Sequence, residues 1–307
     1  MENNFDMIVV GGGPGGYTAA LYGARAGLRT LVMERYFAGG QMALTHRIDN
    51  YPGFEEGIDG MTLAQNMQQQ AERFGVKTCN AEVSELDLQA NPKMLIAGTD
   101  TFFGKTIVIA TGANPRKLGL SMEEELLGRG IHYCASCDGM FYQDKTVVVA
   151  GGGNTAAADA LLLSRVAKKV YVVHRRDTLR ATKIYHEPLM NAENVEFCWN
   201  SVIEELLHEN TLTGVRLKDV HTGDSKSLAC DGVFVSVGRT PATEFLKGQL
   251  ALDEGGYIAA DESTKTSIPG VFAVGDVRAK KLRQVVTAVA DGAVAATLAE
   301  EYLASHS

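Results

Sequence analysis

Cysteine is scarce in this sequence, with five residues among 307. A disulfide-stabilised fold of the secreted type needs a far denser set of cysteines, so that class is excluded. Long basic runs are also missing and the formal net charge is −8, so the electrostatic footprint of a nucleic-acid-binding protein is absent. No apolar run reaches the roughly 18 residues of a membrane-spanning helix, because glycine or charge interrupts each candidate.

The N-terminal sequence also lacks the features of a secretory signal peptide. Met1–Asp6 leads directly into the strand-like Met7–Val10, without a basic region, an apolar stretch and a cleavage site. We therefore expect a cytoplasmic protein. In a reducing compartment a close cysteine pair is more often catalytic or metal-binding than structural, and Cys134 and Cys137 form such a pair.

Glycine and apolar residues, in contrast, are plentiful. The chain has 33 glycines, 45% hydrophobic residues and 21% charged residues, which is typical of a globular protein with many tight turns. The chain is longer than most domains with a single hydrophobic core, so we expect two domains.

An internal repeat organises the chain. Residues 8–16 (IVVGGGPGG) align without gaps on residues 148–156 (VVAGGGNTA), an offset of 140 positions. At the same offset Leu31–Glu34 aligns with Tyr171–His174. Each segment therefore reads as a strand, a helix and a second strand, which is a βαβ unit.

Both copies carry the G-x-G-x-x-G/A pattern of a dinucleotide-binding turn. The first glycine makes the turn, the second lets the backbone approach a pyrophosphate, and the third position allows close helix packing. A lone copy would also fit an ordinary glycine-rich turn, but two copies in equal register favour two nucleotide sites at helix N-termini. The pattern positions are Gly11, Gly13 and Gly16 in the first copy and Gly151, Gly153 and Ala156 in the second. We expect an α/β fold with two Rossmann-like dinucleotide-binding domains.

The same register distinguishes the two nucleotides. Glu34 stands where an acidic residue binds the ribose hydroxyls of FAD or NAD. His174 takes the equivalent place in the second copy and is followed by Arg175, Arg176 and Arg180. Guanidinium groups bind a phosphate through charge-assisted hydrogen bonds, so the second nucleotide is predicted to be NADPH. The alternative is a solvated basic patch.

A shorter repeat predicts the domain boundaries. Residues 107–115 (IVIATGANP) resemble residues 233–241 (VFVSVGRTP), each an apolar strand followed by glycine and proline. If the second βαβ unit lies between them, it is inserted into the first domain. We expect a first domain made of residues 1–115 and 242–307, an inserted domain at 116–241, and a hinge at the two crossings near Pro115 and Pro241.

The segment from Cys134 to Asp138 (CASCD) carries the redox chemistry that we expect. Two thiols separated by two residues can close a small disulfide, and a lowered thiol pKa makes one of them a nucleophile. A zinc site is an alternative, but no second cysteine or histidine pair completes four ligands, and we expect no metal. A merely structural pair is another alternative. The remaining cysteines, Cys79, Cys198 and Cys230, are isolated and are interpreted as core or incidental residues.

Taken together, these features resemble the low-molecular-weight, bacterial-type thioredoxin reductases of the class II pyridine nucleotide-disulfide oxidoreductases. The resemblance also includes residues 174–176 (HRR) with Arg180-Ala181, and residues 266–276 (TSIPGVFAVGD). It covers essentially the whole chain. The cysteine pair just before the second glycine loop is specific to this group, because glutathione and lipoamide reductases carry theirs in the N-terminal FAD unit, where this chain has Gly39-Gly40-Gln41.

The resemblance implies FAD in the first domain and NADPH in the inserted one. The residues implied for FAD are Gly11, Gly13, Pro14, Gly15, Gly16, Glu34, Gly40, Gln41, Asn50, Ala110, Thr111, Gly112, Gly275, Asp276, Arg283 and Gln284. Those implied for NADPH are Gly151, Gly153, Asn154, Thr155, Ala156, His174, Arg175, Arg176 and Arg180. Loop capping is the alternative for Gln41 and Asn50, and a helix N-terminal role is the alternative for Asp276 and Gln284.

The implied reaction passes electrons from NADPH through FAD to a Cys134–Cys137 disulfide, and then to the disulfide of thioredoxin or a similar redoxin. By the resemblance Cys137 faces the flavin, Cys134 attacks the partner, and Asp138 acts as the acid–base residue. A helix cap is the alternative role of Asp138. The family also implies a homodimer, and rotation of the inserted domain about the two crossings is a further hypothesis.

Two departures from the family pattern and three rival functions stay open. Ser136 replaces a bulkier residue of the family. The segment Ala157-Ala158-Asp159 is smaller and less acidic than usual, and this departure concerns affinity and rate on the nicotinamide side of the site. The nearest rival is a same-fold enzyme that reduces another redoxin, or that oxidises a small dithiol with O₂. A ferredoxin-dependent relative is disfavoured by the intact arginine motif, and a non-catalytic flavoprotein is disfavoured by Cys134, Cys137 and Asp138.

Overall fold

The computed structural model describes residues 3–45, 47–246 and 248–306, and its chain divides into two compact units. Unit 1 comprises Met1–Asn114 and Thr240–Ser307, and unit 2 comprises Pro115–Arg239. The domain boundaries expected from the sequence, after residues 115 and 241, lie one and two residues further along the chain. The outermost limits, residues 1 and 307, lie outside the described residues.

Strands and helices alternate around the two glycine loops. The strands are β1 Asn4–Val10, β2 Thr30–Glu34, β3 Lys77–Asn80, β4 Val83–Asp87, β5 Lys93–Ala97, β6 Asp100–Ile109, β7 Ala113–Pro115, β8 Ile131–His132, β9 Thr146–Ala150, β10 Lys169–Val173, β11 Val195–Cys198, β12 Ser201–His208, β13 Leu212–Asp219, β14 Ser225–Ala229, β15 Gly232–Val235, β16 Arg239–Pro241 and β17 Val271–Ala273. The α-helices are α1 Pro14–Arg25, α2 Gly60–Glu72, α3 Ala135–Asp138, α4 Asn154–Leu163, α5 His186–Met190 and α6 Val285–Ser305. Short 3-10 helices lie at Gly40–Leu44, Gly139–Tyr142, Lys183–Tyr185, Glu244–Leu246 and Gly275–Val277.

The main sheet of unit 1 has the order β3-β2-β1-β6-β5-β4. Strands β3, β2, β1 and β6 run parallel, as crossover connections through helices require. The long strand β6 pairs with β5 along its first half and with the late strand β17 along its second half. The C-terminal part of the chain therefore completes a sheet that the N-terminal part begins.

Unit 2 contains a parallel sheet of order β11-β10-β9-β15-β8 and a separate antiparallel sheet, β12-β13-β14. The second sheet has no counterpart in the βαβ pattern that the sequence predicts. The elements β9, α4 and β10 repeat the arrangement of β1, α1 and β2. The predicted fold class, two Rossmann-like units with the second inserted into the first, is confirmed.

The cores of the two units follow the same alternation. Met7 and Val9 of β1 are buried on one face of the sheet, and Ile8 and Val10 are buried in a different cluster. In β9 the residues 140 positions later divide in the same way between two clusters. Because successive side chains of a strand point to opposite faces, each central strand is covered on both sides and carries its glycine loop at a fixed carboxyl end.

The two segments that connect the units pair with each other. Strands β7 and β16 form a two-stranded sheet, and each of them ends at the proline that the sequence repeat contains. The apolar strands β6 and β15 end earlier, at Ile109 and Val235. The glycine of each repeat therefore lies in the turn between two strands.

Candidate functional site

The first glycine loop joins β1 to α1. Gly11 has φ +107°, which favours glycine, and a Cβ there would lie 2.5 Å from the Ala110 carbonyl oxygen. A Cβ at Gly16 would collide with the carbonyl oxygen of Gly11. Gly13, in contrast, has no heavy atom within 4 Å of its ideal Cβ position. The helix begins at Pro14, and Gly13 has no side chain to cap it, so its N-terminal N–H groups can bind an anion.

Glu34 folds back over this loop from the end of β2. Its Oε2 accepts a hydrogen bond from the Gly12 N–H at 2.6 Å. Its Oε1 accepts from the backbone N–H groups of Arg35 at 2.8 Å and Tyr36 at 3.3 Å. The carboxylate is thus fixed beside the loop, and its remaining lone pairs can accept bonds from hydroxyl groups.

Two amide pairs join distant parts of unit 1. The Asn50 Nδ2 donates to Gln284 Oε1 at 3.0 Å, and the Gln41 Nε2 donates to Asn114 Oδ1 at 3.2 Å. Gln284 is also the N-cap of α6, where its side chain and that of Thr287 form a capping box. The alternative considered for Gln284, a helix N-terminal role, is therefore present in the structure.

A buried carboxylate holds the turn that contains Asp276. The Asp291 Oδ2 accepts from the Gly275 N–H at 2.8 Å, from Arg278 Nε at 3.0 Å and from Lys280 Nζ at 2.7 Å. Burial alone would raise the pKa of Asp291, but the hydrogen bonds from Arg278, Lys280 and Gly275 outweigh it and the pKa lies below its ordinary value. The half-buried Asp276 lies in the 3-10 helix that this carboxylate anchors.

Helices α1 and α6 approach closely through glycine. A Cβ at Gly15 would lie 3.0 Å from the Ala288 carbonyl oxygen, and a Cβ at Gly292 would collide with the carbonyl oxygen of Gly15. Just before α6, the Arg283 guanidinium lies over the Tyr257 ring, 4.1 Å from its centroid. The buried Nε of Arg283 has no hydrogen-bond partner among the described residues.

The predicted segment Ala110–Gly112 follows β6 and lies against the first loop. The Ala110 N–H donates to the Val10 carbonyl at 2.8 Å. The Thr111 hydroxyl donates to the Ala242 carbonyl at 2.8 Å, and the Ala242 N–H donates to the Gly112 carbonyl at 3.0 Å. The chain leaving unit 1 and the chain returning to it are therefore tied together beside the glycine loop.

The second glycine loop, between β9 and α4, repeats the geometry of the first. Gly151 has φ +144°, and a Cβ there would collide with the Ser236 carbonyl oxygen and lie 2.9 Å from the Ala156 Cβ. Gly153 has no heavy atom within 4 Å of its ideal Cβ position. Asn154, the first residue of α4, accepts through Oδ1 from the Thr182 N–H at 2.8 Å.

The segment Ala157-Ala158-Asp159, which follows this loop and differs from the family pattern, contains a half-buried acidic residue. Asp159 accepts a hydrogen bond from the Ser236 hydroxyl at 2.5 Å. Burial raises the pKa of Asp159, although the bond from Ser236 and the charge of Arg239 act against this. The carboxylate is therefore engaged inside unit 2, behind the Gly151 turn.

His174 occupies in unit 2 the place that Glu34 occupies in unit 1. Its buried ring lies against Gly152, where any Cβ would collide with it. Burial lowers the pKa of His174, and the guanidinium groups of Arg180, Arg176 and Arg175 lower it further. The ring is thus neutral near pH 7, and its Nε2 has no partner in the described part of the chain.

The three arginines after His174 are exposed. The Arg180 N–H donates to the Gly152 carbonyl at 2.7 Å, which ties the arginine segment to the second glycine loop. In residues 3–45, 47–246 and 248–306 no salt bridge to Arg175, Arg176 or Arg180 is found. Their guanidinium groups therefore have the donors that a phosphate requires.

Cys134 and Cys137 form a disulfide, with their Cα atoms 5.3 Å apart. Cys134 is the N-cap of α3, and its carbonyl accepts from the N–H groups of Cys137 at 3.3 Å and Asp138 at 3.1 Å. Both cysteines are partly exposed, and the Cys134 Sγ lies 3.4 Å from the Ser136 hydroxyl. A thiol partner can therefore approach this pair from solvent.

The remaining cysteines differ in their surroundings. Cys79 is half-buried, and Cys198 and Cys230 are buried. Burial raises the pKa of all three thiols, that of Cys230 to about 12. They are poor nucleophiles, because the thiolate is the reactive form.

Asp138 has a partner that the sequence did not reveal. It is the N-cap residue of the 3-10 helix Gly139–Tyr142, but its side chain makes no capping hydrogen bond there. Its Oδ2 lies 3.1 Å from the Nδ1 of His132. The helix-cap alternative is thus not what the structure contains, and His132 joins the candidate site residues.

Two apolar side chains follow the redox motif on the surface. Met140 is 62% exposed and Phe141 is 42% exposed. Sequence reasoning missed them, because apolar residues near a motif are normally assigned to the core. Large exposed apolar residues beside a reactive pair indicate a contact surface for another molecule.

No group of three or more His, Cys, Asp or Glu side chains among the described residues could hold a metal ion. None of the helices found in the described residues is long and apolar enough to cross a bilayer.

Comparison with known proteins identifies the family. The model of the pyridine nucleotide-disulphide oxidoreductase family matches residues 5–292. The chain is 41% identical to a thioredoxin reductase of Peptoclostridium acidaminophilum, over 99% of this chain and 98% of the relative. It is 46% identical to a thioredoxin reductase of Streptomyces clavuligerus, over 99% of this chain and 96% of the relative.

A solved structure agrees with these relatives. The crystal structure of thioredoxin reductase from Streptococcus pyogenes superposes with a TM-score of 0.91 at 41% identity, covering 99% of this chain and 100% of that one. Fold, length and sequence therefore agree along the whole chain. The chain belongs to the pyridine nucleotide-disulphide oxidoreductase family, and within it to the low-molecular-weight, bacterial-type thioredoxin reductases.

Proposed function

We propose that this protein uses NADPH and bound FAD to reduce the Cys134–Cys137 disulfide, and that the resulting dithiol reduces thioredoxin. The observation that carries the proposal is the partly exposed disulfide at the start of α3, placed in unit 2 just before the second glycine loop. Relatives of the same length and fold are named thioredoxin reductases.

Unit 1 suits FAD. The loop from Gly11 to Gly16 has a backbone open at Gly13, and the Glu34 carboxylate is held beside it. The orphaned Nε of Arg283 is a donor that needs an acceptor. The first-loop residues with Glu34 would hold the adenosine and pyrophosphate, and Gly40, Gln41, Asn50, Ala110–Gly112, Gly275, Asp276, Arg283 and Gln284 would hold the rest. When bound, FAD supplies two-electron transfer between a nicotinamide and a disulfide.

Unit 2 suits NADPH. The α4 N-terminus and the Gly151–Ala156 loop would bind the pyrophosphate, and Arg175, Arg176 and Arg180 would bind the 2′-phosphate. The neutral His174 imidazole, with an unpartnered Nε2, would accept or donate one further hydrogen bond. If the arginines formed only a solvated basic patch, nothing would require the His174 ring to lie against Gly152.

The proposed exchange uses three neighbouring residues. The Cys134 thiolate attacks one sulfur of the partner disulfide, and the partner S–S bond breaks as the new S–S bond forms. Asp138 protonates the departing partner thiolate. The Cys137 sulfur then attacks Cys134, which restores the intramolecular disulfide and releases the reduced partner. Two electrons pass from the cysteine pair to the partner.

The setting of the reaction completes the proposal. Thioredoxin would dock on the exposed Met140 and Phe141 beside the disulfide. Free thiols at Cys79, Cys198 and Cys230 are typical of a reducing compartment, in agreement with a cytoplasmic location. We also propose a homodimer, which rests on the family alone.

One experiment tests the function directly. The holoenzyme is mixed with NADPH and oxidised thioredoxin, and NADPH oxidation is followed by absorbance. We expect rapid oxidation only when thioredoxin is present. A holoenzyme that leaves NADPH unoxidised with thioredoxin but consumes O₂ when a small dithiol is added would favour the rival dithiol oxidase. A C134S variant should retain FAD and lose disulfide turnover, whereas C79S, which lies outside the redox motif, should keep it. Unchanged turnover in C134S would refute the assigned nucleophile.

A further inference from the structure

A buried histidine links the redox motif to a tyrosine hydroxyl. His132 is the last residue of β8, two positions before Cys134, and its side chain is 8% exposed. Its Nδ1 lies 3.1 Å from Asp138 Oδ2, and its Nε2 lies 2.7 Å from the Tyr142 hydroxyl. Both ring nitrogens therefore have partners, and the ring cannot turn without breaking both contacts.

The ring is also held by packing. It stacks on Phe234, with centroids 5.3 Å apart and planes 26° apart, and Phe234 is its register partner across β8 and β15. Tyr142 meets both rings edge-on, at 5.2 Å from His132 and 5.3 Å from Phe234. A Cβ at Gly232 would collide with the Tyr142 ring, so this strand end leaves room for the tyrosine. The three rings form a fixed support for Asp138.

The hydrogen-bond roles in this chain depend on one proton. Asp138 Oδ2 and His132 Nδ1 lie close enough to exchange a proton. With Asp138 ionised and the proton on Nδ1, the neutral His132 ring accepts at Nε2 from the Tyr142 hydroxyl. When the pair of Asp138 and His132 gains a proton, Nε2 carries a hydrogen and donates to the Tyr142 oxygen. The tyrosine changes role by turning its O–H bond alone.

Tyr142 itself stays protonated throughout. Burial raises the pKa of Tyr142 well above its ordinary value, and the charges of Asp138, Asp231 and Cys230 raise it further. Among the described residues, the titratable groups around it are these three, His132, and Lys145, whose Nζ lies 5.3 Å from the centroid of the Tyr142 ring. The proton that moves in this network is therefore not that of the Tyr142 hydroxyl.

We propose that His132 is a positioning residue for thiol–disulfide exchange, which fixes the Asp138 carboxylate and shares with it the proton that reaches the leaving thiolate. This inference rests on the proposed function. As Cys134 bonds to one partner sulfur, the electron pair of the broken S–S bond goes to the other partner sulfur, and the shared proton follows it. The pair then takes the proton of the Cys137 thiol, whose thiolate attacks Cys134 and displaces the second partner thiolate.

Sharing the proton has a measurable consequence. A proton that can reside on either of two groups is retained to higher pH than one held by Asp138 beside a neutral amide. The H132N variant places an amide nitrogen where Nδ1 lies, so it can still donate to Asp138 but cannot take the proton. The H132F variant keeps the stacking on Phe234 and removes the donor.

The test compares holoenzymes of the wild type, H132N, H132F, Y142F and the exposed-histidine control H208N. Bleaching of the flavin by NADPH, followed by stopped flow, is the internal reference, because this half-reaction precedes the exchange step. The kcat for thioredoxin reduction is then measured from neutral to alkaline pH. Retained FAD absorbance and melting temperature identify any variant that does not fold.

We expect H132F to lower kcat by at least about tenfold at all pH values, since a positioned acid–base group contributes roughly 10²–10⁴-fold. H132N should retain most of the neutral-pH rate, but its rate should fall at a lower pH than that of the wild type. Y142F should move the profile in the same direction by less, and H208N should not move it.

The outcomes separate this inference from the proposed function. An H132N profile that superimposes on that of the wild type would overturn the shared proton, and a wild-type kcat in H132F would overturn the positioning role. If H132F does not fold, H132N and Y142F decide. A wild-type protein that fails to reduce thioredoxin at all would instead contradict the proposed function.

Discussion

The Asp291 carboxylate of α6 accepts the Gly275 N–H at 2.8 Å and so fixes the turn before Asp276. The same carboxylate binds the buried Arg278 guanidinium through both of its oxygens. One side chain therefore connects the last helix to the end of β17. This contact positions residues that we assign to FAD binding.

Removing the charge of Asp291 should destabilise unit 1. We expect D291N to lower the free energy of unfolding by about 3–5 kcal/mol and to lower FAD retention, because Lys280 would lose its carboxylate and Arg278 would keep only the exposed Glu262. Denaturant unfolding and flavin absorbance measure both effects. The control is E262Q, which removes a 93% exposed carboxylate facing the same Arg278 and should cost only about 0–1 kcal/mol.

The Asp291 contribution also has a defined pH dependence. Because its folded-state pKa is below the ordinary value, the stabilisation is fully present above the unfolded pKa of about 4. It is lost as the pH falls through the lower folded pKa. The stability difference between the wild type and D291N should therefore shrink on acidification, and a difference that grew toward low pH would contradict this assignment.

Two glycines of the second loop should separate folding from binding. In G151A the Cβ meets the Ser236 carbonyl at a φ that disfavours alanine, so we expect unit 2 to lose roughly 1–3 kcal/mol or more of stability. G153A places its Cβ in open space, so folding should be unaffected and only NADPH affinity should fall, since the methyl group blocks backbone approach to the pyrophosphate. Melting temperature and NADPH titration measure the two effects, and an unchanged NADPH affinity in G153A would show that the open side of the loop is not the binding side.

Local patterns made the loops predictable. Gly11 and Gly151, the strands that precede them, and the cysteine pair at Cys134 and Cys137 all follow from residues close together in the chain. The geometry of these elements depends on the turn type and on the alternation of side chains along a strand, and both are determined by short segments of sequence.

Contacts between distant residues could not be read in this way. Asn50 and Gln284 are 234 positions apart, and the bond from Gly275 to Asp291 depends on how α6 packs. The contact between His132 and Asp138 joins residues only six positions apart, but it depends on how the chain turns between β8 and α3, and no spacing rule indicates it. The antiparallel sheet β12-β13-β14 was also missed, because its residues carry no signature as distinct as the glycine loops.

The arginines after His174 should set the preference for NADPH over NADH. Each guanidinium–phosphate bond contributes about 1.5–3 kcal/mol, so R175Q and R176Q should each weaken NADPH binding roughly ten- to a hundredfold and leave NADH binding nearly unchanged. KM values for the two nucleotides, measured with a fixed thioredoxin concentration, provide the comparison. R165Q alters an exposed arginine elsewhere in unit 2 and is the control. Unchanged KM values for both nucleotides would assign these residues to the solvated patch.

The exposed Phe141 should matter for the protein partner alone. Truncation of an anchoring aromatic residue costs about 2 kcal/mol or more, so F141S should raise the KM for thioredoxin by roughly tenfold or more. Flavin bleaching by NADPH and reduction of a small aromatic disulfide should stay at the wild-type rate, because neither needs the apolar surface. L282S, which removes a 56% exposed leucine from unit 1, should leave all three rates unchanged. If F141S slowed the small disulfide as much as thioredoxin, the side chain would be supporting the redox motif itself, and the docking surface would have to lie elsewhere around Cys134.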